Sequence, residues 1–446
     1  MRLNTNSFRQ IVLIFVTSFC ILAFARVSRA QVWAEKNTWS PAWEKSYESW
    51  VQSEWTVDIF SRKILPNGEQ NPFFGLRTDC ADTVYSMRII FAFKNSLPFA
   101  AVDPTGGGTL ITNRMTRWNS ISSEAQRTRE FLLFVYDTFS TRSLPADTYP
   151  VAISRETVRA GGLMMTTAKN HHSWTIQSLL SIGVPHLIFN STVGASSGST
   201  LQERTSWPNP EWVFEGQFNP GGNGGLRYWR QISDLNKPVW EVQGYSDDQY
   251  KIPLSNWNDV VQKKLALVSE AESEKIQRLM ESVCAGIQAR VQAVKEGLSY
   301  ANQIGHRCMT YEEYDTYSTP NRDRRVFDDL IALRRTYKSI VQEQKSLLIP
   351  QKVRNQLAKI FPAIGSSVLT ETQTMVSQKM NADSVCSTSY SSDRQLDMAE
   401  YKRRAFLGLL SNIPNDGLEQ RWGELRSVPN LCKTWDVWSP QLVLEN

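Results

Sequence analysis

The spacing of hydrophobic residues divides the chain into two parts. Between residues 31 and 255, stretches with helical spacing are followed by short runs of alternating apolar and polar residues. From about residue 256 onward, apolar residues recur every three or four positions, which is typical of amphipathic helices. We therefore predict an α+β domain at 31–255, a helix bundle packed on a small antiparallel sheet, followed by an all-α helical domain at 256–446.

Three helices are predicted in the first part. One begins at Ser40-Pro41, where serine suits the N-cap and proline the first helical position. A second begins at or near Cys80, directly before apolar residues with helical spacing, and a third covers 123–140. The tryptophans around the first helix are expected to pack on the domain core, and a carbohydrate-stacking surface is the alternative.

After residue 149 the pattern changes to strands: a short apolar run at 151–153, a turn leading into a strand over 158–165, and strands at 170–176 and 186–192. Successive side chains of a strand point to opposite faces of the sheet. In the strand at 170–176 this places His172, Trp174 and Ile176 on one face, which we expect other parts of the domain to cover. The other face carries His171, Ser173 and Thr175.

The second part is predicted to be helical throughout. Its apolar positions fit one long helix, or two in line, between 261 and 298, and a further helix near 324–348. Shorter helices are predicted within 352–380 and 394–412. The heptad pattern is not strict, which favours a helical domain over a long coiled coil.

The first thirty residues have the pattern of a secretory signal peptide. Arg2 and Arg9 precede an apolar run at 11–24, and Ser28-Arg29-Ala30 offers small residues at the cleavage positions. Cleavage after Ala30 is expected, with an uncleaved anchor as the alternative. The apolar run is short for a membrane span. We expect a periplasmic or secreted protein with no stable membrane span after cleavage.

Charge gives no reason to expect nucleic acid as a partner. The formal net charge is +5, but Arg2, Arg9, Arg26 and Arg29 lie in the signal segment, which has no acidic residue. The remainder of the chain is close to neutral, without the basic excess that nucleic acid or an anionic membrane surface would favour.

The cysteines predict two disulfides and one free thiol. Cys20 lies in the signal segment, so five cysteines remain. Four of them, Cys284, Cys308, Cys386 and Cys432, lie in the second part and can form two disulfides in an oxidising compartment. The sequence leaves all three pairings of these four open. Cys80 remains as the free thiol.

A free cysteine at a helix N-terminus is a candidate nucleophile. Unpaired backbone amides and the positive end of the helix dipole stabilise a thiolate there. If the thiol also pairs with the imidazole of His172, we expect the pKa of Cys80 to lie well below that of a free thiol, with Asp79 and Asp82 opposing this effect as like charges. Thiol-dependent acyl transfer also needs an imidazole and a group that orients it. His172 and Asn190 on successive predicted strands are the candidates.

The set resembles the papain-like superfamily, and most closely its transglutaminase-like branch. Asp79-Cys80 fits the Asp-Cys pair at a helix start, and His172-Ser173-Trp174 fits the His-x-Trp strand. Asn190-Ser191-Thr192 fits the third motif with Asn in place of Asp. The turn at 158–165 is also similar to bacterial cell-wall peptidases of the NlpC type. The resemblance covers about 75–195.

This resemblance implies a cysteine hydrolase with Cys80, His172 and Asn190 as its triad, and Asp79 and Trp174 as substrate-binding residues. The substrate would be a peptide or protein, with the peptides of peptidoglycan as one candidate, and an amine in place of water would make the protein a crosslinker. The alternative is a non-catalytic scaffold or binding protein that retains the fold. No cofactor or metal is expected, since the chain has no Cys-x-x-Cys or His-Glu-x-x-His motif.

Overall fold

A computed structural model describes residues 31–166, 171–190, 200–208, 224–253, 256–426, 431–440 and 442. The predicted signal segment 1–30 lies outside the described residues, as do Ser191 and Thr192. The described part is mixed α+β, with a six-stranded antiparallel sheet and a helical region. The coarse fold class predicted from the sequence is therefore confirmed.

The first part contains both helices and strands, and most of its strands follow its helices in the chain. The helices are α1 (Pro41–Glu54), α2 (Cys80–Lys94), α3 (Glu124–Thr138) and α4 (Leu144–Asp147). The strands are β1 (Ala100–Val102), β2 (Leu110–Thr112), β3 (Thr148–Pro150), β4 (Leu163–Thr166), β5 (His172–Leu179), β6 (Pro185–Phe189), β7 (Gln202–Arg204) and β8 (Gly225–Trp229). Short 3₁₀ helices follow at Ile232–Asp234, Val239–Glu241 and Asp248–Lys251.

The three predicted helices of this part begin where the capping residues indicate. The side chain of Ser40 accepts a 3.3 Å hydrogen bond from the amide of Trp43 at the start of α1. Ser123 does the same for Gln126 at the start of α3. Each cap satisfies an amide that has no partner within its own helix. Helix α2 begins at Cys80, so the predicted helix start is confirmed.

Strands β3 to β8 form one antiparallel sheet in the order β3-β8-β4-β5-β6-β7. Thr175 of β5 pairs with Ile188 of β6, and a register irregularity follows between Ile176 and Ser178. Strands β1 and β2 form a separate hairpin.

Two of the predicted strands are shorter in the structure. The run at 151–153 contributes only a single bridge, between Val151 and Tyr245. The chain turns directly after it, where the amide of Val158 donates a hydrogen bond to the carbonyl of Ser154. The predicted strand at 186–192 ends at Phe189.

The second part is built from helices of unequal length. They are α5 (Trp257–Leu265), α6 (Glu272–Gln303), α7 (Tyr311–Tyr317), α8 (Pro320–Gln342), α9 (Gln351–Ile360), α10 (Val368–Thr374), α11 (Met398–Phe406) and α12 (Leu418–Arg421). A 3₁₀ helix at Ser346–Leu348 and a two-residue hairpin, β9 (Thr388–Ser389) with β10 (Gln395–Leu396), complete it. The pattern between 261 and 298 thus corresponds to two helices.

Two main hydrophobic cores correspond to the two parts. The first contains residues from Val32 to Leu265, and it includes the buried face of α5. The second contains residues from Ile276 to Trp422, with α6 and α8 packed side by side. The first core therefore continues about ten residues beyond position 255, because Trp257, Val261 and Leu265 turn inward on α5.

The predicted disulfides are present in the second part. Cys284 on α6 is bonded to Cys386, and Cys308 is bonded to Cys432, which resolves the three pairings that the sequence left open. Cys80 is the free cysteine among the described residues. Among the helices that the structure describes, none is both long and apolar enough to cross a bilayer.

The six-stranded sheet has protein on both of its faces. On one face, Trp55 after α1 donates a hydrogen bond from Nε1 to Oγ1 of Thr175, and α2 packs against β5. On the other face, Arg325 of α8 lies over the ring of Phe189. The direction in which each β5 side chain points therefore decides which part of the protein it contacts.

Candidate functional site

Cys80 is the first residue of α2, and its neighbours cap the helix. The carboxylate of Asp79 accepts a 2.8 Å hydrogen bond from the amide of Asp82, and the carboxylate of Asp82 accepts one of 2.8 Å from the amide of Asp79. This reciprocal pair is a capping box. The Asp82 amide that an anion at the helix terminus would use is therefore already occupied by Asp79.

Two hydroxyl groups contact Cys80. Its sulfur and Oγ1 of Thr141 lie 3.1 Å apart and share a hydrogen bond. Ser173, on β5, donates a 3.0 Å hydrogen bond from Oγ to the backbone carbonyl of Cys80. The face of β5 that approaches the cysteine is therefore the face that carries Ser173.

Asn190 lies near the same end of α2. Its side-chain amide donates a hydrogen bond to the carbonyl of Thr78, two residues before Cys80. The β5–β6 register that pairs Thr175 with Ile188 places Asn190 across from Ser173, and Asn190 is buried. The structure thus brings Cys80 and Asn190 into one neighbourhood, while the catalytic role of Asn190 stays a prediction.

His172 lies on the opposite face of β5. Its ring packs edge-on against Trp174, with centroids 4.4 Å apart, and against Phe189, at 5.8 Å. Ser173 lies between His172 and Trp174 in sequence, and strand alternation turns its side chain toward Cys80. Among the described residues no hydrogen bond joins His172 to Cys80. A Cys80–His172 dyad stays a prediction that this geometry does not favour.

The surroundings of His172 keep its ring neutral. Burial, followed by the positive charges of Arg325, Arg204 and Arg322, lowers the pKa of His172 to about 3. Both effects penalise the imidazolium form. A histidine in this environment is a poor acceptor for a thiol proton near neutral pH.

The expected low pKa of Cys80 is wrong for this structure. Burial and, after it, the negative charge of Asp79 raise the pKa of the thiol, the hydrogen bond from Thr141 offsets this only in part, and the resulting pKa is about 12. The sequence argument relied on the helix terminus and on a charged His172 beside the thiol. His172 packs on the other face of β5, and the local effect of the terminus is smaller than the cost of placing a thiolate among protein atoms and acidic groups. Cys80 is therefore a protonated thiol near neutral pH.

The two acidic caps are themselves disfavoured as anions. Burial raises the pKa of Asp79, and burial together with the charge of Asp79 raises the pKa of Asp82 well above its ordinary value. Trp174 is 1% exposed and packs on the face opposite Cys80. Asp79 therefore serves as a helix cap and Trp174 as a packing residue in this structure, and their roles in substrate binding stay predictions.

Sequence reasoning missed the two hydroxyl residues that contact Cys80. Thr141 lies 61 positions away in the chain, and its approach depends on how α3 and α4 fold over α2. Ser173 lies within the His-x-Trp motif, and its place in the strand alternation was the available signal. That alternation defines two faces, but the sequence does not show which face meets α2.

Clefts and metal-binding groups do not add to this site. Two clefts have volumes of about 280 and 310 Å³, including the space that is open to solvent. Cys80, His172 and Asn190 are not among the residues that line them. Within the ranges that the structure describes, no group of three or more His, Cys, Asp and Glu residues is placed to hold a metal ion.

Comparison with known proteins gives no assignment. No protein-family model, no curated protein and no solved structure matches the chain. The interpretation of the site therefore depends on its own geometry.

Proposed function

We propose that this chain is an exported binding or scaffold protein that retains a transglutaminase-like core, and that Cys80 has a structural role in it. One observation carries this proposal: Ser173, and not His172, faces Cys80 across β5. A thiol of pKa about 12 without an imidazole bonded to it lacks the means to form a thiolate near neutral pH.

In this proposal the hydrogen bonds around Cys80 fasten the start of α2 to the sheet and to the segment between α3 and α4. Thr141 holds the sulfur, Ser173 holds the carbonyl, and Asn190 holds the carbonyl of Thr78. Each bond satisfies a polar group that would otherwise be costly to bury. The partner class is a peptide or protein, and peptidoglycan peptides are the first candidate to test.

The experiment compares the wild-type protein with Cys80→Ala. Both are mixed with purified peptidoglycan, and binding is measured by sedimentation while soluble peptides and free amines are measured in the supernatant. The proposal expects both proteins to bind equally and to release nothing. Release of peptides by the wild type that Cys80→Ala fails to produce would overturn it.

A cysteine hydrolase is the second candidate function, and one observation favours it. Ser173 and Asn190 both approach the start of α2, and strand alternation continued by one step places His171, rather than His172, on their side of the sheet. Cys80 would then attack an amide carbonyl, His171 would pass the thiol proton to the leaving amine, and water would cleave the thioester. An amine in place of water would give a crosslink.

The two histidines provide a matched pair of variants for this candidate. If the chain is a hydrolase of this kind, His171→Ala abolishes labelling of Cys80 by a thiol probe at pH 7, whereas His172→Ala leaves it intact. If the binding proposal is right, wild type and both variants all label equally slowly. Fast labelling that depends on His172 alone would support the triad of Cys80, His172 and Asn190 and contradict the geometry.

A further inference from the structure

The face of the sheet away from Cys80 carries a concentration of positive charge. Arg204 ends β7, and Arg322 and Arg325 lie on α8. Residues three positions apart share one face of a helix, so Arg322 and Arg325 project on the same side of α8. All three charges lie near enough to His172 to lower the pKa of its ring.

Arg204 has its own counter-ion. Its Nη2 lies 3.0 Å from Oδ1 of Asp329 and also donates to Ser206. The other oxygen of Asp329 accepts a hydrogen bond from Ser282 on α6. Asp329 is therefore fully engaged and compensates one arginine.

Arg325 lacks such a counter-ion within the described part of the chain. Its guanidinium lies 5.1 Å from the ring centre of Phe189, and Nη2 donates a long hydrogen bond of 3.4 Å to Gln202. Burial, together with the charge of Arg204, lowers its pKa to about 9. A nearby carboxylate stabilises the charged form of an arginine. For Arg325, the repulsion by Arg204 exceeds the attraction by Asp329.

Arg322 is in a similar position. It is 7% exposed, its Nη1 makes a contact of 3.5 Å with the carbonyl of Ser318, and its Nε has no hydrogen-bond partner in the described structure. Glu296 and Asp323 favour its charge from a distance, but Asp323 is held in an ion pair by Arg290. An unpartnered guanidinium nitrogen at this depth is unusual, because buried polar groups are almost always hydrogen-bonded.

Phe189 connects the arginines to His172. The ring of Phe189 has His172 at 5.8 Å on one edge and the Arg325 guanidinium at 5.1 Å. His172 and Arg325 both keep part of their surface accessible to solvent. The charged groups are therefore surrounded by protein and still within reach of a small molecule.

We propose that Arg322, Arg325 and His172 form a binding site for a small oxyanion, a carboxylate or a phosphate group, between the sheet and helix α8. A buried and a half-buried guanidinium group, neither of them in an ion pair within the described residues, are costly, and an oxyanion removes that cost through paired, charge-assisted hydrogen bonds. Neutral His172 can add one N–H donor. This inference deepens the proposed binding function by naming the ligand chemistry, and it rests on that function for its biological role.

Two sources share this chemistry, the terminal carboxylate of a peptide and a phosphate group. The probes are N-acetylalanine for the first and inorganic phosphate for the second, each titrated into the full exported chain by calorimetry at low millimolar concentration. Sodium chloride at equal ionic strength is the control, since general salt effects on stability require higher concentrations. Saturable binding of either probe supports the site and identifies its source, whereas binding of neither overturns it.

Variants on α8 locate the binding. Arg322→Gln and Arg325→Gln, singly and together, are expected to weaken the binding of the responding probe about tenfold or more per substitution. Arg335→Gln, which changes an exposed arginine of the same helix, is expected to leave the affinity unchanged. Equal affinity in all these proteins would place the anion elsewhere and overturn the proposal.

Thermal unfolding keeps the test informative if a variant folds poorly. The wild-type midpoint is expected to rise with the responding probe and to stay fixed with chloride, because a ligand that binds the folded state stabilises it. An unchanged wild-type midpoint at saturating probe would contradict the proposal without any variant. Failure of this inference leaves the Cys80 experiments untouched, because those measure thiol chemistry and peptidoglycan on the other face of the sheet.

Discussion

Ser173 Oγ donates a 3.0 Å hydrogen bond to the backbone carbonyl of Cys80, so Ser173, and not His172, is the residue of this motif whose side chain contacts Cys80. The adjacent His172 points to the far face, against Trp174 and Phe189. Because the sheet is covered on both faces, the side chains of two adjacent residues in β5 contact different parts of the protein.

The reactivity of Cys80 should follow its raised pKa. The thiolate is the reactive form, and its fraction grows about tenfold per pH unit below the pKa. With a pKa of about 12, the alkylation rate should rise steadily from pH 7 to pH 10 without a plateau. Mass spectrometry of iodoacetamide-treated native protein checks this, and the same protein in urea supplies the rate of an unhindered thiol. A plateau near neutral pH would contradict the structure.

Asp147 should make the folded protein less stable as the pH rises toward neutrality. Its carboxyl accepts hydrogen bonds from Tyr85 and from the amide of Val102, and burial raises its pKa to about 7. Because the folded state holds this proton more tightly than the unfolded state, stability falls between about pH 4 and pH 7. A rise of about three pKa units corresponds to a loss of about 4 kcal/mol.

The variant Asp147→Asn tests this directly. It keeps an uncharged polar side chain at the position, so the decline in the free energy of unfolding between pH 4 and pH 7 should shrink by about the 4 kcal/mol that Asp147 contributes. Urea unfolding at several pH values gives the measurement. Asp103→Asn is the control, since hydrogen bonds from Thr105 lower the pKa of Asp103, and it should retain the wild-type decline. A variant with the same pH profile as the wild type would show that Asp147 is already ionised at pH 5.

Each disulfide should stabilise the helical part substantially. The pairs close stretches separated by 102 and 124 positions, and removing a disulfide that closes so long a loop costs about 2–4 kcal/mol. We expect that cost for Cys284→Ser with Cys386→Ser, and a similar one for Cys308→Ser with Cys432→Ser. Urea unfolding measures both. A protein lacking both pairs should show no further response to reductant, and peptide mapping that found Cys80 in a bridge would refute the assignment.

Gly183 should not tolerate a side chain. It has a φ of +78° in the turn between β5 and β6, and an added Cβ would lie 2.1 Å from the carbonyl oxygen of Gln262 on α5. Gly183→Ala should cost about 3 kcal/mol or more, since backbone strain and a clash with backbone add together. Gly75, with φ +76° and open space around it, is the matched control and should cost about 1 kcal/mol. Equal unfolding midpoints for the two variants would contradict this packing.

The sequence predicted those features that depend on neighbouring residues. Ser40-Pro41 marked the start of α1, and apolar residues with helical spacing marked α2, so both helices were placed correctly; the Asp79–Asp82 cap of α2 was seen only in the structure. The confinement of four cysteines to one part predicted two disulfides there, while the pairing depended on distances between remote segments.

The chemistry of the candidate site was not predictable in the same way. The pKa of Cys80 depends on how the folded chain buries the thiol and on the negative charge of Asp79 beside it. Whether His172 points toward Cys80 depends on which face of the sheet α2 covers. The positive cluster of Arg204, Arg322 and Arg325 joins residues more than a hundred positions apart, and only the three-residue spacing on α8 was visible in the sequence.

The two disulfides also interleave along the chain, since Cys308 lies between Cys284 and Cys386, and Cys432 lies beyond both. A protease that cuts anywhere between 308 and 386 would therefore leave two fragments joined by both bonds. The loop after α8 offers such a place, with Leu347 and Leu348 strongly exposed. A chain nicked there would still run as one molecule without reductant, and would separate into two pieces only when both disulfides are reduced.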